Sequence, residues 1–409
     1  MSAPASPASP PADIDGLLRG VVEPLAALVR RAGSPEEERA AALIVEAFQR
    51  VGAGARIDAV SFRDGYAALL LPFAFAGFVV GLRSSGGRRR RLSALLAAAA
   101  TAALVDDVEN GRRPWRRLVS RPRPTTNVVA QAGDLGADRT LVVLAHHDAA
   151  PTGRVFDPSL QRWIAGRFPD LIQRTDTGVP FWWTAAAGPA FAALGAATGS
   201  RLLARAGAAL SALNLAFGAD IARNRIVPGA SDNLSGVAAL VALAQRLGVQ
   251  PPAGIRVLLA SCGAEEVLQG GIYPFVEGRL KPLDPERTWV LNLDTLGSPE
   301  LLMLEGEGPF RMHDYTDAAF RDLIAEVAES TTGAPLRRGA RARASTDAIV
   351  PSRAGYPTTL VSWEPDTKLQ SHYHLPTDVP EHVRYDTVAR AVAIAEGLAR
   401  ALAVRRPPG

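Results

Sequence analysis

The chain has 409 residues, 47% of them hydrophobic and 21% charged, enough for one large α/β domain with additions or for two domains. Its net charge of +4 comes from arginine, with Lys281 and Lys368 the only lysines, and no arginine stripe interleaved with aromatics supports a nucleic-acid partner. Cys262 is the single cysteine, which excludes an internal disulfide and a thiolate metal cluster.

Residues 1–12 are rich in Pro, Ala and Ser, lack the apolar stretch of a signal peptide and read as a disordered tail; residues 13–404 read as the folded domain. Ser34-Pro35-Glu36-Glu37 starts a helix: a capping side chain, a proline at the first turn, then acids. Strands are predicted at 56–63, 126–132 and 140–145, then a helix over 235–247. Further strands follow at 255–261, 288–293 and 300–304, a helix over 316–329, a late strand at 358–363 and a closing helix over 384–404. This alternation predicts an α/β fold with a mixed, mostly parallel central sheet and helices on both faces.

Two regions interrupt the alternation. Residues 65–82 carry no charge, a basic tip follows (Arg83 and Arg88 to Arg91), and 92–105 are again uncharged. Residues 177–200 and 206–219 repeat the plan around Arg201 and Arg205. Segments 64–106 and 177–220 therefore read as apolar helical hairpins inserted into the domain. The longer runs reach membrane-spanning length, and their Ala- and Gly-rich composition favours close helix contact. Membrane contact through 65–105 and 177–219, with Trp182 and Trp183 as interfacial anchors, is one reading; an apolar bundle beside the domain, or the interface of a homo-oligomer, is the other. Arg112, Arg113, Arg116, Arg117, Arg121 and Arg123 on the opposite flank match the basic tip, so charge sets no orientation. Membrane association with the side undetermined, or a soluble cytoplasmic location, is the resulting expectation.

The apolar run 141–144 leads directly into His146-His147-Asp148, although the chain has only six histidines. Asp232 stands in the glycine-flanked turn PGASDNLSG before a helix, Glu265 and Glu266 follow an apolar strand, Asp294 ends another, and His372 and His374 lie in SHYHLPTD. Alone, each acid would read as a helix cap or a solvated turn. Together they offer the imidazole and carboxylate ligands zinc takes when no thiolate is available. His146 and His374 would be the imidazoles, Asp232 the bridging carboxylate, Glu266 and Asp294 the terminal ones. Glu265 is left as a general base to water. His147, one residue on from His146, should point away as a hydrogen-bonded neighbour. Arg337, Arg338, Arg341 and Arg343 crowd what reads as a solvated loop, or a site for a substrate carboxylate.

The ordered motifs AHHDA, SDNLSG, AEEV, NLD and YHLPTD resemble the di-zinc aminopeptidase family of clan MH, the group of bacterial leucyl aminopeptidases and aminopeptidase Y, over residues 25–63, 124–150 and 226–404. The resemblance implies a zinc exopeptidase fold and an aminopeptidase acting on peptides, with two zinc ions per chain. One ion would be held by His146 and Asp294, the other by Glu266 and His374, with Asp232 bridging and Glu265 as base to the water between them. It further implies that Asp148 fixes the tautomer of His146, that Tyr373 assists the oxyanion, and that the Asp232–Asn233 peptide is cis. The sequence departs from that family at Leu375, where relatives carry Thr, and at Ser345-Thr346-Asp347-Ala348, where they carry Ser-Asp-His. Two rivals stay open: a single-zinc acyltransferase resembling glutaminyl cyclases, and a non-catalytic, membrane-associated receptor or scaffold on the same fold.

Overall fold

The computed structural model describes residues 14–83, 87–178, 180–315, 317–356 and 359–404; the expected tail at 1–12 and the start of the late strand at Thr358 lie outside them. The strands are β1 (Ala55–Arg63), β2 (Pro122–Gly133), β3 (Thr140–His146), β4 (Arg256–Cys262), β5 (Thr288–Asp294), β6 (Glu300–Glu307), β7 (His313–Asp314), β8 (Arg337–Ala342) and β9 (Thr359–Trp363). The longer helices are α1 (Ile14–Ala26), α2 (Pro35–Arg50), α3 (Ala67–Leu82), α4 (Gly87–Val108), α5 (Phe181–Thr198), α6 (Arg201–Arg223), α7 (Ser235–Val249), α8 (Ala318–Thr332) and α9 (Tyr385–Val404).

Strand β3 is buried along its whole length, as a run apolar on both faces must be. Side chains alternate across a strand, so Leu141, Val143 and Ala145 enter one core while Val142 and Leu144 enter another. The first core is closed by α1, α2, α7, α8 and α9 through residues such as Leu18, Phe48, Leu240, Phe320 and Leu398. The second is thinner, covered by Ile272, Phe275, Val276 and Leu280 from a short helical segment after β4. Each fully buried aliphatic side chain contributes about 1.5–3 kcal/mol.

The strand order is β1-β2-β4-β3-β5-β9-β6-β7, with β8 beside β6. The pairs β4–β3, β3–β5, β5–β9 and β6–β8 are parallel, whereas β1–β2, β2–β4, β6–β9 and β6–β7 are antiparallel. The sheet is mixed, then, without the predominance of parallel pairing that the sequence suggests. Parallel pairing fills the doubly covered centre, and apart from β6–β8 the flanks pair antiparallel, where a covered second face is not required. Two elements differ from the sequence reading. Helix α1 was not anticipated, and the expected arginine loop is strand β8. Three of its arginines are ion-paired: Arg337 to Glu300, Arg338 to Glu305 and Asp322, and Arg341 to Asp176 and Asp314.

Helices α3 to α6 pack on one another, α3 and α5 both against α6, and α4 against α5. Small residues make this approach close: a Cβ at Gly195 would collide with the backbone of Ala204, and one at Gly207 with that of Ala192. Helix α6 is the one described helix long and apolar enough to cross a membrane, and α3 is a shorter apolar helix. Phe75, Leu95, Leu96, Leu194 and Leu202 point outward. At its inner end the bundle is tied to the sheet by two arginines from the basic flank. Arg116 forks onto Asp107 at 3.0 and 2.8 Å, both side chains buried, and Arg113 donates to the carbonyl of Leu268. Arg113 and Arg116 are thus structural ties rather than a topogenic surface charge.

Candidate metal centre

β3, β4 and β5 end at the same edge of the sheet, with His146 in register with Cys262. That edge is where open α/β sheets place their sites. His146 closes β3 and Asp294 closes β5. Past β4 the chain makes the short turn Glu265–Val267 between Ala264, Leu268 and Gln269, whose φ values of 56°, 67° and 61° are left-handed. Such conformations cost a non-glycine residue of order 1–3 kcal/mol each and need outside support. The carboxylate of Glu37 supplies part of it, accepting from Ala264 N (2.9 Å), Gly33 N (2.8 Å) and Thr125 Oγ1 (2.8 Å). Asp148 supplies more, accepting from the amides of Glu265 (2.9 Å) and Glu266 (3.0 Å).

Asp232 comes from the turn before α7, where the Asp232–Asn233 peptide is cis. Asp378 accepts from the amides of Ser231 and Asp232, while the Asn233 side chain bonds Leu293 O, Gly236 N and Thr295 N. The buried guanidinium of Arg30 donates to the carbonyls of His147 and Gly229, joining the two turns from behind. His374 enters from the loop before α9 in a left-handed conformation (φ 54°), with Phe156 edge-on to its ring.

These side chains converge. His146 Nε2 lies 3.2 Å from Asp232 Oδ1, His374 Nε2 lies 3.5 Å from Asp232 Oδ2, and His374 Nε2 lies 3.2 Å from Glu266 Oε2. Two donors each about 2.0–2.1 Å from one tetrahedral zinc stand roughly 3.3 Å apart, so the spacings suit ligands of a common ion. His146, Asp232 and Glu266 form a group that could hold a metal ion. Glu266 Oε1 and His374 Nδ1 are buried without a hydrogen-bond partner. An acceptor lacking any protein donor is what a cation-binding carboxylate looks like from the protein side.

The electrostatics agree. Burial alone would push the Asp232 carboxyl up, but His146 and His374 hold it well below the usual range. Against the opposing effect of burial, Glu266 and Asp232 raise His374 to about 10, and Asp148 and Asp232 raise His146 well above its ordinary value. Burial first, then neighbouring carboxylates, push Glu265, Glu266 and Asp294 up. The cluster thus retains protons that a divalent ion would displace.

Glu265 Oε2 stands 4.0 Å from His146 Nε2, and its Oε1 accepts from Gln269 Nε2 at 2.9 Å. Asp148 Oδ1 lies 3.4 Å from His146 Nδ1, on the side away from Asp232. Asp294 accepts from Thr295 Oγ1 at 2.7 Å and lines the same pocket, a cavity of about 290 Å³, as do His146, Asp232, Glu265, Glu266, Tyr373 and His374. His147 turns away, its Nδ1 2.9 Å from Ser261 Oγ, and burial lowers its imidazole to about 4. His372 and His382 stack on each other at 4.4 Å, and His313 lies in β7; none of the three lines the pocket.

Several contributors escaped the sequence reading. Glu37 reads as a capping acid; the spacing Ser34-x-x-Glu37 signals the cap but not its reach to Ala264. Arg30 gives no local signal at all. Tyr66, capping position of α3, lines the pocket beside Trp182, their rings 6.1 Å apart edge to face. Asp347 is buried with neither carboxylate oxygen hydrogen-bonded, and burial keeps its pKa well above the ordinary value.

Residues 215–399 match the family model described as Peptidase family M28. No curated protein matches the sequence. Solved structures match across nearly the whole chain. An aminopeptidase from Aneurinibacillus sp. strain AM-1 is 15% identical with a TM-score of 0.55, covering 97% of this chain and 95% of its own. A Zn-dependent exopeptidase from Parabacteroides distasonis is 13% identical with a TM-score of 0.54, covering 97% and 100%. A glutaminyl cyclase from Bacteroides thetaiotaomicron is 11% identical with a TM-score of 0.56, covering 96% and 99%. At such identities the likeness speaks for the fold alone. The family match and the fold likeness agree in what they resemble, with the family match confined to residues 215–399.

Proposed function

We propose that the chain is a zinc-dependent exopeptidase of the aminopeptidase type, with two zinc ions held by His146 and Asp294 on one side, Glu266 and His374 on the other, and Asp232 between them. The observation that carries this reading is the placement of Asp232, one carboxylate oxygen toward each imidazole. Zinc at such a site acidifies water and polarises an amide carbonyl. Glu265, beside but not against His146, takes the proton of the attacking water and delivers it to the leaving nitrogen. Asp148 orients His146 and anchors the Glu265–Glu266 turn with the same carboxylate. Tyr373, and equally Tyr66, can donate to the developing oxyanion from the pocket wall.

The glutaminyl-cyclase-like rival shares the fold and needs one ion, held by Asp232, Glu266 and His374. It leaves His146 and Asp294 without a task, although both face the pocket. A receptor or scaffold role would not need a buried, closely spaced donor set. Membrane association through α3–α6 is part of the proposal, supported by α6 and by the outward apolar side chains. The test is zinc-dependent hydrolysis of an aminoacyl-p-nitroanilide panel by the purified chain, with and without detergent. Turnover lost on chelation and restored by zinc supports the reading; a metal-loaded chain inert toward every peptide and amide refutes it.

A further inference from the structure

The pocket does not stop at the metal centre. It continues between α3 and α6, where Leu71, Ala74, Phe217 and Gly218 line it, with Leu104 of α4 and Ala185 of α5 closing the sides. The lining positions run from 67 to 74 on α3 and from 214 to 221 on α6. At 1.5 Å of rise per residue that is roughly 10 Å along each helix, deeper than an apolar amino-acid side chain reaches. The wall there is aliphatic and aromatic, with Asn214 its polar member on these two helices.

On the sheet side the same pocket is lined by Arg343 and Lys368. Among the described residues neither is ion-paired. Arg343 lies over the Trp183 ring, and Lys368 Nζ donates to the carbonyls of Ile172 and Thr175. The cavity lining thus combines an apolar wall from α3 and α6, the metal-ligating residues and two cationic side chains without an ion-pair partner among the described residues.

We propose that this chamber holds the acyl chain of an N-acyl amino acid, whose amide lies at the metal centre and whose carboxylate meets Lys368 and Arg343. This rests on the hydrolase reading above and names its substrate class. One water adds across the amide: its oxygen joins the acyl carbon, the C–N bond breaks, and the proton taken by Glu265 goes to the departing nitrogen. The products are a fatty carboxylate and a free amino acid. The outward apolar residues of the same helices, Phe75, Leu95 and Leu202 among them, suit a protein whose substrate is an amphiphile.

The test is a series of N-acylglycines from acetyl to tetradecanoyl, cleaved by the zinc-loaded full chain beside leucine p-nitroanilide. kcat/KM rises by up to roughly fourfold per added methylene. It levels off near decanoyl, where the chain fills roughly 10 Å. Ala74→Phe lowers the decanoyl-to-acetyl ratio by roughly tenfold or more. Phe217→Ala moves the plateau to longer chains, which keeps the test decisive if the first variant fails to fold. Lys368→Met raises KM for N-acylglycines more than for leucine p-nitroanilide. A flat dependence on chain length, or ratios unchanged in the chamber variants, overturns the proposal. Cleavage of leucine p-nitroanilide with every N-acylglycine untouched also overturns it and leaves the peptidase reading standing. If the zinc-loaded chain cleaves neither class, both fall.

Discussion

At the carboxyl edge of β3, β4 and β5, the turns that carry the functional side chains are fixed through their backbone amides by specific polar partners: Asp148 on Glu265 and Glu266, Asp378 on Ser231 and Asp232, Glu37 on Ala264. In the α3–α6 bundle the ties are of another kind, small residues letting backbones touch and few polar contacts between helices. The first region defines positions through directional bonds, which suits a site whose donors must stand about 3.3 Å apart. The second is held mainly by close packing and lines an apolar part of the pocket, which suits a compartment for something apolar. The two meet at Leu268, whose side chain packs with Phe73 and Leu104 and whose carbonyl is held by Arg113, three residues past Glu265.

The comparison can be broken at four points, in falling order of effect. Glu265→Gln should lower kcat by about 10²–10⁴-fold while bound metal, read by elemental analysis, is unchanged; full turnover would remove Glu265 from the chemistry. Asp107→Ala strands the buried Arg116 guanidinium and should cost about 3–5 kcal/mol in denaturant unfolding. A loss below 1 kcal/mol would mean that the bundle and sheet are not tied there. Gly207→Leu forces α6 off Ala192 and should cost about 1–3 kcal/mol. Hydrogen exchange should speed up in α5 and α6 and stay unchanged in β3, and equal change in both would contradict the separation of the regions. Ser34→Ala, which removes the hydroxyl accepting from Glu37 N, should cost about 1 kcal/mol with little effect on activity.

Glu307 should make a stabilising contribution that is lost as pH rises. Its carboxyl is fully buried and, mainly through burial, raised to about 8 from 4.5, although Thr346 N donates to it at 2.7 Å. The folded chain therefore holds that proton more tightly than the unfolded one. The contribution of Glu307 is complete below about 4.5 and is lost as pH climbs through about 8. Glu307→Gln should flatten that decline in unfolding curves recorded across the interval; an unchanged slope would exclude Glu307 as its source.

Much of this was legible in the sequence, for physical reasons that differ by region. β3 could be read because a strand buried on both faces must be apolar throughout, and His146 because a titratable group at its end breaks that pattern. The helix at Ser34 announced itself through capping chemistry. β8 was hidden because its arginines face carboxylates across neighbouring elements, and charge pairing at a distance leaves no periodic trace. Arg30 and Glu37 were hidden likewise: their partners lie more than a hundred residues away along the chain for Arg30 and His147, and farther for Glu37 and Ala264. The apolar stretches lie in α3 to α6, but composition could not say that residues of α3 and α6 would line the same pocket as the metal ligands.

The most direct test of the account is the zinc content of the purified chain, paired with that of Asp232→Ala. Two zinc ions per chain, both lost or strongly weakened in the variant along with amide hydrolysis, is the predicted result. One zinc per chain in a fully active protein, or two retained without Asp232, would contradict a centre built around that carboxylate.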